Sequence, residues 1–196
     1  MSASTSALQQ KNAKHLIQSF SDLSYIKNPE STHIISRADG VYIYDNDGKK
    51  ILDSMSGLWC VNMGYGQQSI IEAVNEQMKE LVYYNNFFGS SHPSAIRLSE
   101  MIADKTPEGM NKIYFCGSGS EANDTVVRLA RHYWAARGNK SKSVIISRTN
   151  AYHGSTMAGA SLGGMSAMHA QGGLPIADIE HIDQPYYYDA CVEAGG

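Results

Sequence analysis

A chain of 196 residues is long enough to bury a core, in one domain or one and a half, and its composition is that of a soluble globular protein. A net charge of −3, with both signs spread along the chain, excludes the basic footprint of a nucleic-acid binder. Cys60, Cys116 and Cys191 are too few and too far apart for a disulfide framework or a zinc cluster, and they point to a reducing compartment.

The N-terminus, rich in Ser, Ala and Gln, lacks a signal-peptide core, and no later run reaches membrane-span length, so the expected location is the cytoplasm with no membrane partner. Residues 1 to about 12 read as disordered or as an arm. Lys14 to Ser24 places Leu16, Ile17, Phe20 and Leu23 at helix-like spacing. His33 to Ile35 reads as a strand. Val41 to Tyr44 and Lys50 to Asp53 flank Asn46-Asp47-Gly48 as a hairpin, the Asp-Gly pair supplying positive φ. Trp59 follows in a glycine-flanked loop, where a tryptophan closes a small core or lines a pocket. Gln67 to Val82 has helical period, with Ile70, Ile71, Val74, Met78 and Leu81 as the stripe to be buried. Tyr83 to Gly89 is an aromatic-dense loop. Ser91-His92-Pro93 opens another helix, with Leu98, Met101 and Ile102 on its inner face and Thr106-Pro107 at its end.

The stretch Lys112 to Asp124 organises the rest. Ile113 to Cys116 reads as a strand, Gly117 to Gly119 as a tight turn, and Ser118 with Glu121 as a capping box opening a helix. Val126, Val127, Leu129, Ala130, Tyr133 and Trp134 give that helix one apolar face. Small residues at a helix N-terminus make an anion site, because N–H donors and the positive dipole end converge there. Gly119, Ser120 and Ala122 are the candidates. Glu121 and Asp124 read as first-turn charges rather than as a catalytic pair. Ser143 to Ser147 is the next strand, apolar as buried parallel strands are. Together with Ile113 to Cys116 it predicts a βαβ unit of an α/β sheet. The loop after it, Arg148 to Ser155, lies where such sheets bind ligands. There Tyr152 offers a flat aromatic face and His153 a proton carrier. No spacing typical of metal ligands occurs.

Three readings remain open on these residues. Gly117 to Ala122 matches G-x-G-x-x-A, which suits a dinucleotide-binding oxidoreductase, although Ser147-Arg148 stands where that fingerprint wants an acid. One phosphate turn plus one stacking aromatic also suits pyridoxal phosphate, with its single phosphate and planar ring. The third reading is a non-catalytic binding or interface fragment.

Gly57-Leu-Trp-Cys-Val-Asn62, Tyr84-Asn-Asn-Phe-Phe88, Phe115 to Thr125, Ala151-Tyr-His-Gly-Ser155 and Gly159-Ala-Ser-Leu-Gly-Gly164 together resemble the class III aminotransferases. Within them they are most similar to the ω-transaminases that use pyruvate. The resemblance runs from about Ser19 onward. It implies an α/β chain of the fold-type I pyridoxal-phosphate transferases. Such a chain has a large domain built on a mostly parallel sheet with helices on both faces, and part of a small α+β domain. It assigns residues 1–65 to an arm and part of the small domain, and 66–196 to the first part of the cofactor-binding large domain. It implies that Ser118, Gly119, Ser120, Tyr152 and His153 meet pyridoxal 5'-phosphate, with Gly119 and Ser120 at the phosphate and Tyr152 on the pyridine ring. Phe20, Trp59, Phe87 and Tyr152 would line the substrate pocket, Phe87 from across a homodimer or dimer of dimers. The implied reaction is ping-pong transfer of an amino group from an amine, diamine or ω-amino acid to pyruvate. The catalytic lysine of that family is expected beyond Gly196, so the chain reads as the first part of a transaminase, inactive alone.

Overall fold

The computed structural model describes residues 3–186 and Tyr188. Cys191 lies outside the described residues. The chain forms two compact units, one up to His92 and one from Pro93 onward.

The first unit opens with α1 (Thr5–His15), where the sequence suggested disorder or an arm. The Ser4 hydroxyl caps it by accepting from the Ala7 N–H. The Gln9 and Asn12 side-chain amides donate to the Thr32 carbonyl at 2.9 Å and to Thr32 Oγ1 at 3.0 Å. Polar side chains hold this helix, so no apolar period announced it. The apolar residues from Leu16 onward lie past its end: Leu16 to Asp22 is not helical, and only α2 (Leu23–Ile26) follows. Phe20 sits there at φ +53°.

Three antiparallel strands come next, β1 (Ile35–Asp39), β2 (Tyr42–Asp45) and β3 (Lys50–Leu52), in that spatial order. The hairpin β2–β3 pairs Ile43 with Ile51. Of its Asp-Gly pair only Gly48 takes positive φ. The turn is shaped instead by the Asp45 carboxylate, which accepts the N–H of Asp47 at 3.0 Å and of Lys49 at 2.8 Å. A turn labelled α3 (Ser56–Trp59) and the helix α4 (Gln68–Glu80) complete the unit. The α4 stripe is where the period put it, but it is not buried. Ile70, Ile71, Val74, Met78 and Leu81 are 36–53% exposed, and all of them but Ile71 line an open apolar groove. The period fixes which face is apolar; what covers that face is a tertiary matter.

The second unit runs α5 (Pro93–Ala103), α6 (Gly119–Ala136), β4 (Ile145–Arg148), α7 (Met157–Leu162), α8 (Ser166–His169) and β5 (Ile179–Ile182). Pro93 takes the first position of α5, as predicted. Its inner face stays open, with Leu98 and Met101 exposed. Strands β4 and β5 are parallel, Ile145 opposite Ile179 and Ser147 opposite His181. Val127, Leu162 and Ile179 form the core, flanked by Ile145, Ala158 and Ile176. The Arg131 guanidinium fastens α6 to the sheet, donating to the carbonyls of Ser143 at 3.0 Å and Ala177 at 2.8 Å.

Ile113 to Cys116 is not a strand. It has no ladder partner among the described residues, and Tyr114 is 72% exposed. β-propensity records fitness for a paired, half-buried surface, and nothing pairs here. The parallel crossover of this α/β chain is therefore β4–α7–α8–β5, one unit later than expected.

Candidate functional site

The N-terminus of α6 is capped by side chains and leaves backbone donors open. Ser118, in extended conformation, accepts the Glu121 N–H on its Oγ at 3.2 Å. The Glu121 carboxylate reaches back to the Gly117 N–H at 2.7 Å, one residue earlier than in a standard capping box. The Ala122 N–H starts the helical ladder on the Ser118 carbonyl, which removes Ala122 from the donors available to a ligand. What remains is the pair of N–H groups of Gly119 and Ser120. Neither has a hydrogen-bond partner among the described residues, and both stand at the positive end of an 18-residue helix. A Cβ on Gly119 would meet nothing within 4 Å, so the space above these donors is open.

The loop carrying Tyr152 and His153 is clamped onto that turn by successive residues of α6. Ser120 Oγ accepts the Ser155 N–H at 3.1 Å. The Asn123 amide donates to the His153 carbonyl at 2.7 Å. Asp124 Oδ1 accepts from Thr156 Oγ1 at 2.6 Å and from the Gly159 N–H at 3.2 Å, helping Thr156 to cap α7. Asp124 is thus more than a first-turn charge: its carboxylate joins two helices. Gly154, buried at φ +121°, lies so close to Ser120 that a Cβ there would collide with its Oγ. Beside this clamp Tyr152 is 56% exposed, and His153 meets Asn123 through its backbone carbonyl. The sequence drew attention to the turn, Tyr152 and His153, read Asp124 only as a first-turn charge, and gave no contact to Asn123, Gly154 or Thr156. Their neighbours are some 30 to 35 residues away, as the Asn123–His153 and Asp124–Gly159 pairs show, and no local period marks them.

In the first unit, Trp59 ends a turn in which Ser56, Gly57, Leu58 and Trp59 all have positive φ. Asp53 Oδ2 accepts the Gly57 N–H and the Tyr65 hydroxyl, both at 2.8 Å. The Tyr65 hydroxyl, and after it the Gly57 N–H, hold the Asp53 carboxyl below the usual range, while bonding to Asp53 pushes the Tyr65 phenol up. Trp59 is 83% exposed, and Phe20 and Phe87 are exposed as well. The Phe87 N–H donates to Asn85 Oδ1 at 2.9 Å. These three aromatics belong to the unit ending at His92, and the turn from Gly117 to Gly119 to the other. Among the described residues no helix is long and apolar enough to cross a membrane.

The model of the class-III aminotransferase family matches residues 25–194. The chain belongs to the class-III aminotransferases. That membership sets aside the dinucleotide reading of Gly117 to Ala122. Over 186 residues, 95% of this chain and 41% of the relative, the chain is 53% identical to a putrescine–pyruvate aminotransferase of Pseudomonas aeruginosa. It is 40% identical over 163 residues to a diaminobutyrate–2-oxoglutarate transaminase of Halomonas elongata, covering 83% of this chain and 35% of that one. Among solved structures, a transaminase from the marine bacterium Virgibacillus superposes with a TM-score of 0.88 at 36% identity, covering 97% of this chain and 45% of its own. The ω-transaminase of Pseudomonas jessenii in complex with PMP gives 0.88 at 35%, covering 92% and 40%. The class-III chain thus has the α/β, fold-type I architecture of these transaminases, and it spans less than half the length of the relatives it matches.

Proposed function

We propose that this chain supplies the phosphate cradle and part of the donor pocket of a pyridoxal-phosphate-dependent transaminase that moves an amino group from an amine to pyruvate. The observation that carries it is the pair of N–H donors of Gly119 and Ser120, without partners among the described residues, at the positive end of α6 and beside the clamped Tyr152 loop. They fit a phosphate, and the open space over Gly119 leaves room for one. Bound pyridoxal phosphate supplies an electron sink for the carbanion at the donor carbon. The residues of this chain bind and orient: Gly119 and Ser120 donate to the phosphate, Ser118 and Glu121 hold the turn open, and Tyr152 offers its ring to the pyridine. His153 holds the loop through its carbonyl. Phe20, Trp59 and Phe87 form apolar walls suited to an amine chain rather than a second carboxylate. A diamine without a carboxylate is favoured as donor, because identity is 53% to the putrescine–pyruvate enzyme against 40% to the diaminobutyrate enzyme, whose named substrate is an amino acid. We place the lysine that moves the proton outside these 196 residues, and the working protein in the cytoplasm as a homodimer or dimer of dimers.

The test uses the full-length protein carrying this chain. Gly119→Val fills the space over the donors, and its affinity for pyridoxal phosphate, measured by absorbance, should fall by about ten-fold or more, the scale of one charge-assisted hydrogen bond. Affinity for pyridoxal, which has no phosphate, should change far less. An unchanged ratio of the two affinities overturns the phosphate assignment.

A further inference from the structure

Behind the turn that carries Trp59 lies a hydrogen-bonded frame that the reading above does not use. Tyr65 is fixed to the strand connection by a reciprocal pair of bonds, its N–H to the Gly40 carbonyl at 2.7 Å and its carbonyl from the Gly40 N–H at 3.2 Å. The Asp53 N–H donates to the Val41 carbonyl at 3.0 Å, one residue along. The two side chains therefore start from adjacent points of the three-stranded sheet and meet, hydroxyl to carboxylate, at 2.8 Å. Their common product is a single anchor for the Gly57 N–H. Gly57 is also packed in: a Cβ there would lie 2.7 Å from Val61 Cγ2 and 3.4 Å from the Tyr65 hydroxyl. Three residues in this turn other than glycine, Ser56, Leu58 and Trp59, stand at positive φ. Such a conformation persists only where the surroundings over-determine it. The result of that constraint is one large apolar ring held out into solvent.

We propose that Asp53 and Tyr65 are positioning residues for Trp59, fixing the turn from Ser56 to Trp59 against the sheet so that the indole defines the size limit of the amine the pocket accepts. This rests on the reading of Trp59 as a pocket wall. Neither side chain needs to touch the substrate. Removing the Tyr65 hydroxyl leaves the Asp53–Gly57 bond but frees the carboxylate to swing, and removing the Asp53 carboxylate releases the turn.

The experiment compares a short linear diamine with a bulky arylalkyl amine, both with pyruvate, in the full-length holoenzyme. Tyr65→Phe, Asp53→Asn, Asp53→Ala and Trp59→Ala are made singly, and Tyr65→Phe is combined with Trp59→Ala. Tyr65→Phe and Asp53→Ala should shift the ratio of kcat/KM between the two amines at least five-fold toward the bulky one, chiefly through KM. Asp53→Asn keeps an acceptor for the Gly57 N–H and should recover part of the parent ratio. In the Trp59→Ala background, Tyr65→Phe should shift the ratio no further. If Trp59→Ala moves the ratio while Tyr65→Phe and Asp53→Ala lower only the melting temperature, the positioning role is overturned and the pocket reading stands. If Trp59→Ala itself leaves the ratio unmoved, the pocket reading falls first.

Discussion

Two glycines, Gly119 in the turn that opens α6 and Gly154 two residues after Tyr152, separate folding from binding. At Gly119 a Cβ meets nothing within 4 Å, and the backbone is not left-handed. Gly119→Ala should therefore leave unfolding unchanged, or stabilise by up to about 1 kcal/mol through loss of unfolded-state freedom. Any loss of cofactor in that variant then reports on the site and not on the fold. Gly154→Ala is the opposite case. Its φ of +121° and its collision with Ser120 should cost about 1–3 kcal/mol in urea unfolding and detach the Tyr152 loop. The Asp53–Tyr65 pair makes a pH prediction at the same scale. Asp53 has a depressed folded pKa, so its contribution is complete above the unfolded value of about 3.9 and disappears as pH falls through the lower folded value. Tyr65 has a raised pKa, so its share is complete below about 10 and disappears as pH rises through the folded value. The stability difference between the parent and Asp53→Asn should thus be flat across neutral pH and vanish in acid. A difference that changes between pH 6 and 8 would show that another group governs it.

At the level of elements, the helix α6 does three jobs with one side: Ser120, Asn123 and Asp124 each hold the Tyr152 loop or α7. Asp124→Ala leaves the Gly159 N–H with only the longer bond to Thr156 Oγ1 and should cost about 1–3 kcal/mol. Its effect should not add to that of Asn123→Ala, since both serve one loop, and a double-mutant cycle in urea measures the coupling. Hydrogen exchange at the Gly159 amide should rise in Asp124→Ala; an unchanged rate would show that Thr156 alone caps α7. The reach of sequence reading follows from the same contrast between local and distant partners. The hairpin, α4, α5, α6 and the cap at Ser118 were legible because each is written in neighbouring residues, as a period, a Pro93 at the first turn or a Ser118–Glu121 pair. α1 was not, because its stabilising bonds run from Gln9 and Asn12 to Thr32. Ile113 to Cys116 misled because β-propensity is worth nothing without a paired neighbour. The glycine turn that opens α6 was legible, whereas the clamp of Asn123 and Asp124 exists only once the chain has returned to α6.

Across the whole molecule, apolar side chains that helical period marks for burial remain open to solvent. Along α4 and its C-cap, Ile70, Val74, Met78 and Leu81 line one groove with Ile71 exposed as well, and on α5 Ile96, Leu98 and Met101 are exposed. Among the described residues β4 and β5 pair only with each other, leaving their outer edges without a ladder. Fully burying an aliphatic side chain is worth about 1.5–3 kcal/mol, so covering the roughly half-exposed α4 stripe gains about 4–7 kcal/mol before any cost of association. Association costs at least about 4 kcal/mol, so the α4 face alone gives only weak self-contact. The α5 face and the open strand edges add to it. The 196-residue chain on its own should therefore associate with rising concentration, without a single defined stoichiometry, and should bind a hydrophobic dye. Val74→Lys with Met78→Lys puts two charges into the α4 groove on a helix face that contributes nothing to the core of Val127, Leu162 and Ile179. That variant should keep the helical signal of the parent by circular dichroism and move the onset of association, measured by sedimentation velocity, to higher concentration. A parent chain that stays monomeric at about 100 μM, where contacts of −5 to −6 kcal/mol become visible, would mean that these open faces are too weakly apolar to drive association.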